Sequence, residues 1–280
     1  MSTLYIVATP IGNLRDITLR ALRVLGEVSL IAAEDTRTTR WLLSRYDIDT
    51  PYTSYHDHNR VSKLPVLLEA LSQGDVALVS DAGTPAISDP GAELADAAAN
   101  AGHTVVPIPG PSALTAALSV AGIDTDQFIY LGFLPRRGGP RRKLFESLIQ
   151  ELRAWIAFEA PHRLIDTLTD IYETLGDRQV VICRELTKLH EEVFRGTVTN
   201  ALEHFTEPRG EFTLIVKPAD VAPVSNEAAV RQAREILMDE SASGSKSRDA
   251  ISAASVTGLS RNDLYRLWLE LKDTESPSDG

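Results

Sequence analysis

Cysteine, aromatic residues and surplus positive charge are all scarce in this sequence, and each shortage excludes something. The single cysteine, Cys183, can close no internal disulfide, and it sits in the apolar run Val180-Val181-Ile182 without a basic, exposed setting. It reads as a buried, inert thiol, and such sparing use fits a reducing cytoplasm. No apolar run approaches the ~18 residues of a membrane span. The N-terminus enters a strand within a few residues, with no basic region and no cleavage site, so no signal peptide is expected. Asp and Glu number 39 against 28 Lys and Arg, a net charge of −11. Taken over the whole chain this speaks against a nucleic-acid partner, since phosphate binding rests on clustered Lys and Arg. No strand is followed by G-x-G-x-x-G, and no Gly-rich loop ends in Gly-Lys-Ser/Thr, so the dinucleotide and phosphate-loop fingerprints are both missing. His56-Asp57-His58 lacks the third and fourth ligands of a zinc site, and no metal is expected.

What is present is a chain of ordinary soluble composition, 43% hydrophobic and 24% charged over 280 residues. Its centre is Asp75 to Gly91, DVALVSDAGTPAISDPG: a short buried strand that breaks at Ser80-Asp81 into a Gly/Pro turn. Asp89 is the expected N-cap of the next helix, with Pro90 at its first position. Similar turns follow the strands at Leu4 to Val7 (TPIGN) and His103 to Ile108 (PGPSA), where Ser112 either caps a helix or faces a ligand. The strand Val28 to Ala33 runs into Glu34-Asp35-Thr36-Arg37, more polar groups than capping alone requires. A carboxylate and a Gly turn at the carboxyl end of a parallel strand are where open α/β sheets bind ligands.

The alternation continues to about residue 216, with Glu192 to Val198 and Phe212 to Val216 expected as antiparallel additions and Pro65 tolerable only in the first turn of its helix. The expected architecture is two α/β domains, 1–121 and 122–220, facing across a cleft. A small helical appendage follows at 227–272, with Ser260 and Asp263 as a capping box, and then a disordered tail at 273–280. Arg136, Arg137, Arg141, Arg142 and Lys143 form a basic run without an acid among them, by default a solvated surface loop.

TPIGNL (9–14), AEDTR (33–37), HDHN (56–59), LVSDAGTP (78–85), DPG (89–91), PIPGP (107–111), GFLP (132–135), HRL (162–164) and RELTK (184–188) occur in one order. Together they resemble the tetrapyrrole-methylase-like class of S-adenosylmethionine methyltransferases. The nearer resemblance is to the bacterial 16S rRNA cytidine-2′-O-methyltransferase family, toward which Ser80 also points. Thr38 stands where that family often has His, and Ala160 where Ser is frequent before the HR pair.

The resemblance implies S-adenosylmethionine as cofactor, lined by Pro10, Asp81, Ala82, Gly83, Thr84, Ser112 and Ala113, with Phe133, Ala160 and Thr213 from the second half. It implies 2′-O-methylation of a cytidine in the decoding region of 16S rRNA on the small ribosomal subunit, by a cytoplasmic protein whose fold class suggests a homodimer. Asp35 or His56 is then the base and Arg37 or Lys188 the electrostatic support, with Glu34, His58, Glu159 and Glu185 behind them. In that light Arg136, Arg137, Arg141, Arg142 and Lys143 become candidates for gripping RNA phosphates. Two rival readings stand: methylation of a tetrapyrrole or other small metabolite, and a non-catalytic RNA- or nucleotide-binding protein.

Overall fold

A computed structural model describes residues 2–123, 126–218, 226–243, 245–259, 264–265 and 267–271. It divides into two compact units, Met1–Pro218 and Ala219–Gly280.

The first unit holds two five-stranded sheets. In chain order its elements are β1 (Thr3–Val7), α1 (Leu19–Glu27), β2 (Leu30–Ala33), α2 (Thr36–Arg45), β3 (Tyr52–Ser54), α3 (Arg60–Gln73), β4 (Val76–Val79), α4 (Ala92–Asn100), β5 (Thr104–Ile108) and α5 (Ala113–Ala121). There follow β6 (Phe128–Phe133), α6 (Gly138–Glu146), β7 (Ala154–Glu159), α7 (Leu164–Leu175), β8 (Gln179–Arg184), β9 (Glu192–Thr197), α8 (Val198–His204) and β10 (Phe212–Val216).

The first sheet is wholly parallel, in the order β3-β2-β4-β1-β5. Its central strand β4 is buried along its length, as a parallel strand covered on both faces must be. Two apolar clusters cover it. One gathers Val24, Leu25, Leu42 and Leu43 from α1 and α2, the other Leu67, Leu71, Leu94 and Ala98 from α3 and α4. The second sheet, β6-β7-β10-β8-β9, is mixed: β6 and β7 are parallel, and the rest pair antiparallel. β10 is antiparallel as expected but is no edge addition. It fills the centre between β7 and β8, because every residue of FTLIV is buried and needs cover on both sides.

Helix α5 follows the first sheet in sequence yet packs on the second. Its Ala117 and Ala121 lie in one cluster with Ile156, Val181, Cys183 and Ile215. Small side chains let it sit close to that sheet, which sets the N-terminus of α5 at the seam between the halves. Cys183 is buried, and burial pushes its thiol up to about 11, an inert setting.

Two local expectations are corrected. α3 begins at Arg60, not at about Leu64 as Pro65 in the first turn would require, so Pro65 lies inside the helix. The bond it forgoes would have joined the carbonyl of Val61, an exposed residue where solvent limits the cost. α4 is capped by Gly91 at φ 147, not by Asp89, and its first residue is Ala92. A side chain at position 91 would meet Leu78 Cδ2 at 2.6 Å, so the chain passes too close to the core for anything larger than glycine.

The second unit carries α9 (Asn226–Ala242) and α10 (Ser247–Ala254). Ala233 and Leu237 pack with Ala250, Ala254, Leu264 and Trp268 around a small core of its own. The Ser260–Asp263 capping box and the tail at 273–280 lie outside the described residues.

Candidate active site

The carboxyl ends of β1, β2, β4 and β5 gather the turns singled out in the sequence. Two of the turns are joined directly. Thr9 and Gly83 exchange backbone bonds, Thr9 N–H to the Gly83 carbonyl at 2.8 Å and the reverse at 3.0 Å. Gly83 holds φ +79, the left-handed region where glycine is least strained. An added Cβ would meet only ordinary contacts, so backbone conformation rather than space demands glycine there. With both backbone groups spent on Thr9, Gly83 positions the loop and does not line the cavity beside it.

Neighbouring strands β2 and β4 are braced by their carboxylates. The Glu34 side chain accepts from the Asp81 N–H at 3.2 Å, and the Asp81 side chain accepts from the Asp35 N–H at 3.0 Å. Asp35 in turn caps α2, accepting from the Arg37 N–H at 2.8 Å and from the Arg37 guanidinium at 2.5 Å. These side-chain bonds of Arg37 hold the Asp35 carboxyl down at about 2, which makes it a poor proton acceptor.

A cavity of about 530 Å³ opens between the two sheets. The first half lines it with Ile11, Glu34, Asp81, Ala82, Thr84, Asp89, Ser112 and Ala113, the second with Phe133, Phe158, Ala160 and Thr213. Among the described residues no cation lines it. Burial raises the pKa of Glu34, Asp81 and Asp89, and neighbouring carboxylates add to this. Asp89 is pushed up to about 7, by burial first and then by Glu34. Ser112 stands at the N-cap of α5, makes no capping bond with its side chain, and lines the cavity. The walls from the second half are fixed by a buried charge. Glu159 accepts from the Ala160 N–H at 2.8 Å and from Thr167 Oγ1 at 2.6 Å, and pairs with Arg163, which also donates to the Leu134 carbonyl at 3.2 Å.

A second cavity of about 230 Å³ shares Ile11, Asp81, Ala82 and Glu211 with the first. Its other walls include Pro10, Gly12, Thr38, Trp41 and Lys188. The Lys188 ammonium lies 2.9 Å from Glu185 and 3.0 Å from Glu211. Burial would lower its pKa, but hydrogen bonds to those carboxylates outweigh burial and keep it charged. A side chain at Gly12 would collide with Lys188 Cγ, so the TPIGN turn admits the lysine stem only as glycine.

Of the residues picked out in the sequence, Asp81, Ala82, Thr84, Ser112, Ala113, Phe133, Ala160 and Thr213 lie on the first cavity, and Pro10 and Lys188 on the second. Asp35 stands behind the wall, and Arg37 on the outer surface of α2. His56 lies on neither cavity wall; its Nδ1 is buried without a hydrogen-bond partner. Among the described residues no cluster of His, Cys, Asp and Glu is arranged to hold a metal ion.

Arg141 is corrected. It is only 4% exposed, and its Nε donates to Asp170 at 2.7 Å, so it offers no surface to a phosphate. Arg142 is exposed but also pairs with Asp170, at 2.9 Å, whereas Arg136, Arg137 and Lys143 are exposed without an ion pair among the described residues. Sequence reasoning missed Asp89, Phe158 and Trp41. Asp89 carried the pattern of a helix cap, and the two aromatic residues carried the pattern of ordinary strand and helix members.

An all-parallel sheet and a mixed sheet, with a cavity at the strand ends between them, define a class. The chain belongs to the tetrapyrrole (corrin/porphyrin) methylase family, whose model matches residues 3–202. A solved uroporphyrin III C-methyl transferase from Thermus thermophilus shares the fold, with a TM-score of 0.55 at 15% identity over 77% of this chain and 97% of that one. Closer relatives carry another name, "Ribosomal RNA small subunit methyltransferase I". The protein of that name from Synechocystis sp. is 49% identical over 278 residues, 97% of this chain and 99% of the relative. The one from Thermotoga maritima is 51% identical over 219 residues, 77% of this chain and 98% of the relative. Among the described residues no helix is long and apolar enough to cross a membrane.

Proposed function

We propose that this chain transfers a methyl group from S-adenosylmethionine to the ribose 2′-oxygen of a cytidine in the decoding region of 16S rRNA, acting on the small ribosomal subunit. The observation that carries the reading is the pair of adjoining cavities with a shared wall at Asp81 and Ala82, one large and acidic, the other smaller and edged by a lysine. The names of the relatives support the acceptor. The Thermotoga maritima relative, matched over 219 residues and 98% of its own length, is about the size of the first unit alone, which supports placing the chemistry there.

The residues present fit the cofactor. Glu34, Asp81 and Asp89 suit its positive charges and ribose hydroxyls, and Ile11, Phe133 and Phe158 suit the flat faces of its base. When bound, it supplies a methyl carbon carried on a sulfonium centre. The chain's own part is alignment and exclusion of water, for which the Glu34–Asp81 brace and the Glu159–Arg163 clamp hold opposite walls. Lys188, kept charged at the second cavity, stabilises the oxyanion that forms on the acceptor ribose. Asp35 acts as a positioning residue, because Arg37 removes its basicity. Asp81 borders both cavities with a raised pKa and is the better placed proton acceptor. Arg136, Arg137 and Lys143 supply exposed charge for phosphates. A cytoplasmic homodimer belongs to the same proposal.

The test is transfer of a labelled methyl group to purified small ribosomal subunits, followed by nuclease mapping. A label at a cytidine whose 3′ linkage resists alkali is the expected result. Label on a base or on a free tetrapyrrole refutes the acceptor, and failure to bind S-adenosylmethionine in a calorimeter refutes the enzyme reading altogether.

A further inference from the structure

Beyond the second cavity, the outer face of α2 carries a surface that the proposed reaction does not explain. Trp41 is 67% exposed, whereas Trp155 and Trp268 are 2% and 5% exposed, so one of the chain's three tryptophans is turned out to solvent. Leaving so large an apolar ring in water forgoes the gain that burial would bring. The helix has an alternative face: Thr39, Leu42 and Leu43 supply its buried side. Trp41 lies with Arg37, Arg40, Ser44 and Tyr52 around a shallow depression that, among the described residues, no carboxylate lines. Spacing at 37, 40/41 and 44 puts the helical members of this set on one stripe. Arg40 has no acidic partner among the described residues, and in a chain of net charge −11 the whole stretch Thr36 to Arg45 contains Arg37, Arg40 and Arg45 but no acid. Trp41 also forms part of the wall of the second cavity, so this depression and the place where the acceptor is proposed to sit share that residue.

We infer that the Trp41–Arg40 face of α2 is a landing surface for single-stranded RNA, taking a nucleotide next to the one that is methylated. A base stacks on the Trp41 ring, and its phosphate meets Arg40, whereas Arg37 is already paired with Asp35. The charge favours a polyanion, and a flat ring beside guanidinium groups is the combination that holds unpaired bases irrespective of their identity. An acidic protein can thus hold RNA through one local patch while the rest of its surface repels it. This inference rests on the proposed RNA reading but is tested apart from it.

The experiment measures binding of a single-stranded RNA decamer by quenching of tryptophan fluorescence, which reports chiefly on exposed Trp41. Wild type, Trp41→Ala, Trp41→Phe and Arg40→Glu are compared, with calorimetric titration of S-adenosylmethionine as the control for intact structure. The expected result is loss of the quench in Trp41→Ala and, by an anisotropy readout, about tenfold weaker binding. Trp41→Phe restores most of the affinity, Arg40→Glu weakens it with a flatter salt dependence, and cofactor affinity is unchanged throughout. RNA binding by Trp41→Ala equal to that of wild type overturns the inference, even if the wild type methylates small subunits. Loss of activity on intact subunits without loss of RNA binding also overturns it, since the face then meets a protein. If the wild type methylates no subunit yet its decamer binding depends on Trp41 and Arg40, the landing surface stands and the proposed reaction falls.

Discussion

Helices α2 and α6 of the first unit both carry clustered arginines, and they use the same side chain in opposite ways. In α6 the buried residues are Arg141 and Phe145, one turn apart, so an arginine occupies the core face. Its charge is met by Asp170 of α7, itself nearly buried. In α2 the core face is Thr39, Leu42 and Leu43; Arg37 is exposed but paired with Asp35, and Arg40 remains outside with Trp41, without an acidic partner among the described residues. In the sequence both stretches follow a strand and carry several arginines. Whether an arginine holds the fold together or is free for a partner depends on a carboxylate that in α6 lies 29 positions away along the chain.

The sharpest way to break the comparison is Arg141→Met. Removing one partner of a buried ion pair strands the other, and the expected loss is about 3 kcal/mol, at the lower end of the usual range because Arg142 still reaches Asp170. Denaturant unfolding measures it. Combining Arg141→Met with Asp170→Leu should recover most of the loss, since the cost lies in the unpaired charge rather than in the missing bridge. A loss below about 1 kcal/mol in the single variant would mean that Arg142 alone satisfies Asp170 and that α6 differs little from α2.

Asp89 sharpens the contrast from the other side, as a half-buried carboxylate whose cavity has no cation among the described residues. Its folded-state pKa, about 7, lies above the ordinary value of 3.8. The folded state therefore holds the proton more tightly, and the group's stabilising contribution is complete below pH ~4 and lost as pH rises to ~7. Asp89→Asn should leave stability at pH 4 unchanged and raise it at pH 8 by about 1–2 kcal/mol, discounted for partial exposure to solvent. Melting temperatures of the two proteins across that range test this. Parallel curves would mean that the carboxyl is ordinary and that the acidity of the cavity does not strain the fold.

These cases mark how far the sequence could be read. The three turns after β1, β4 and β5 were legible because glycine and proline state their backbone needs locally, and the cavity they edge followed from strand ends meeting in a parallel sheet. Asp89 was not, because Asp-Pro-Gly before a helix is also the pattern of a cap, and only the close approach of Gly91 to Leu78 shows which residue takes that place. Arg141 was not, because its partner is remote. β10 was read as an addition because its position comes last, whereas its place in the sheet is set by pairing with both β7 and β8. Trp41 stands directly before Leu42 and Leu43 in the sequence, where an apolar run alone does not tell which side chain points outward.

The smallest expected effect concerns the exposed arginines themselves. Arg40→Ala should change stability by less than about 0.5 kcal/mol, since the side chain is exposed and has no ion pair among the described residues. Arg142→Ala should cost slightly more, because its half-exposed guanidinium shares Asp170 with Arg141. Their order in RNA binding should be reversed. Taking away one arginine that touches a phosphate reduces the salt dependence of binding by about one ion. Arg40→Ala should therefore flatten the slope of affinity against salt, and Arg142→Ala should leave it nearly unchanged. Equal slopes for the two variants would erase the distinction between the helices, because an arginine already neutralised by a buried aspartate would then be serving RNA as well as a free one does.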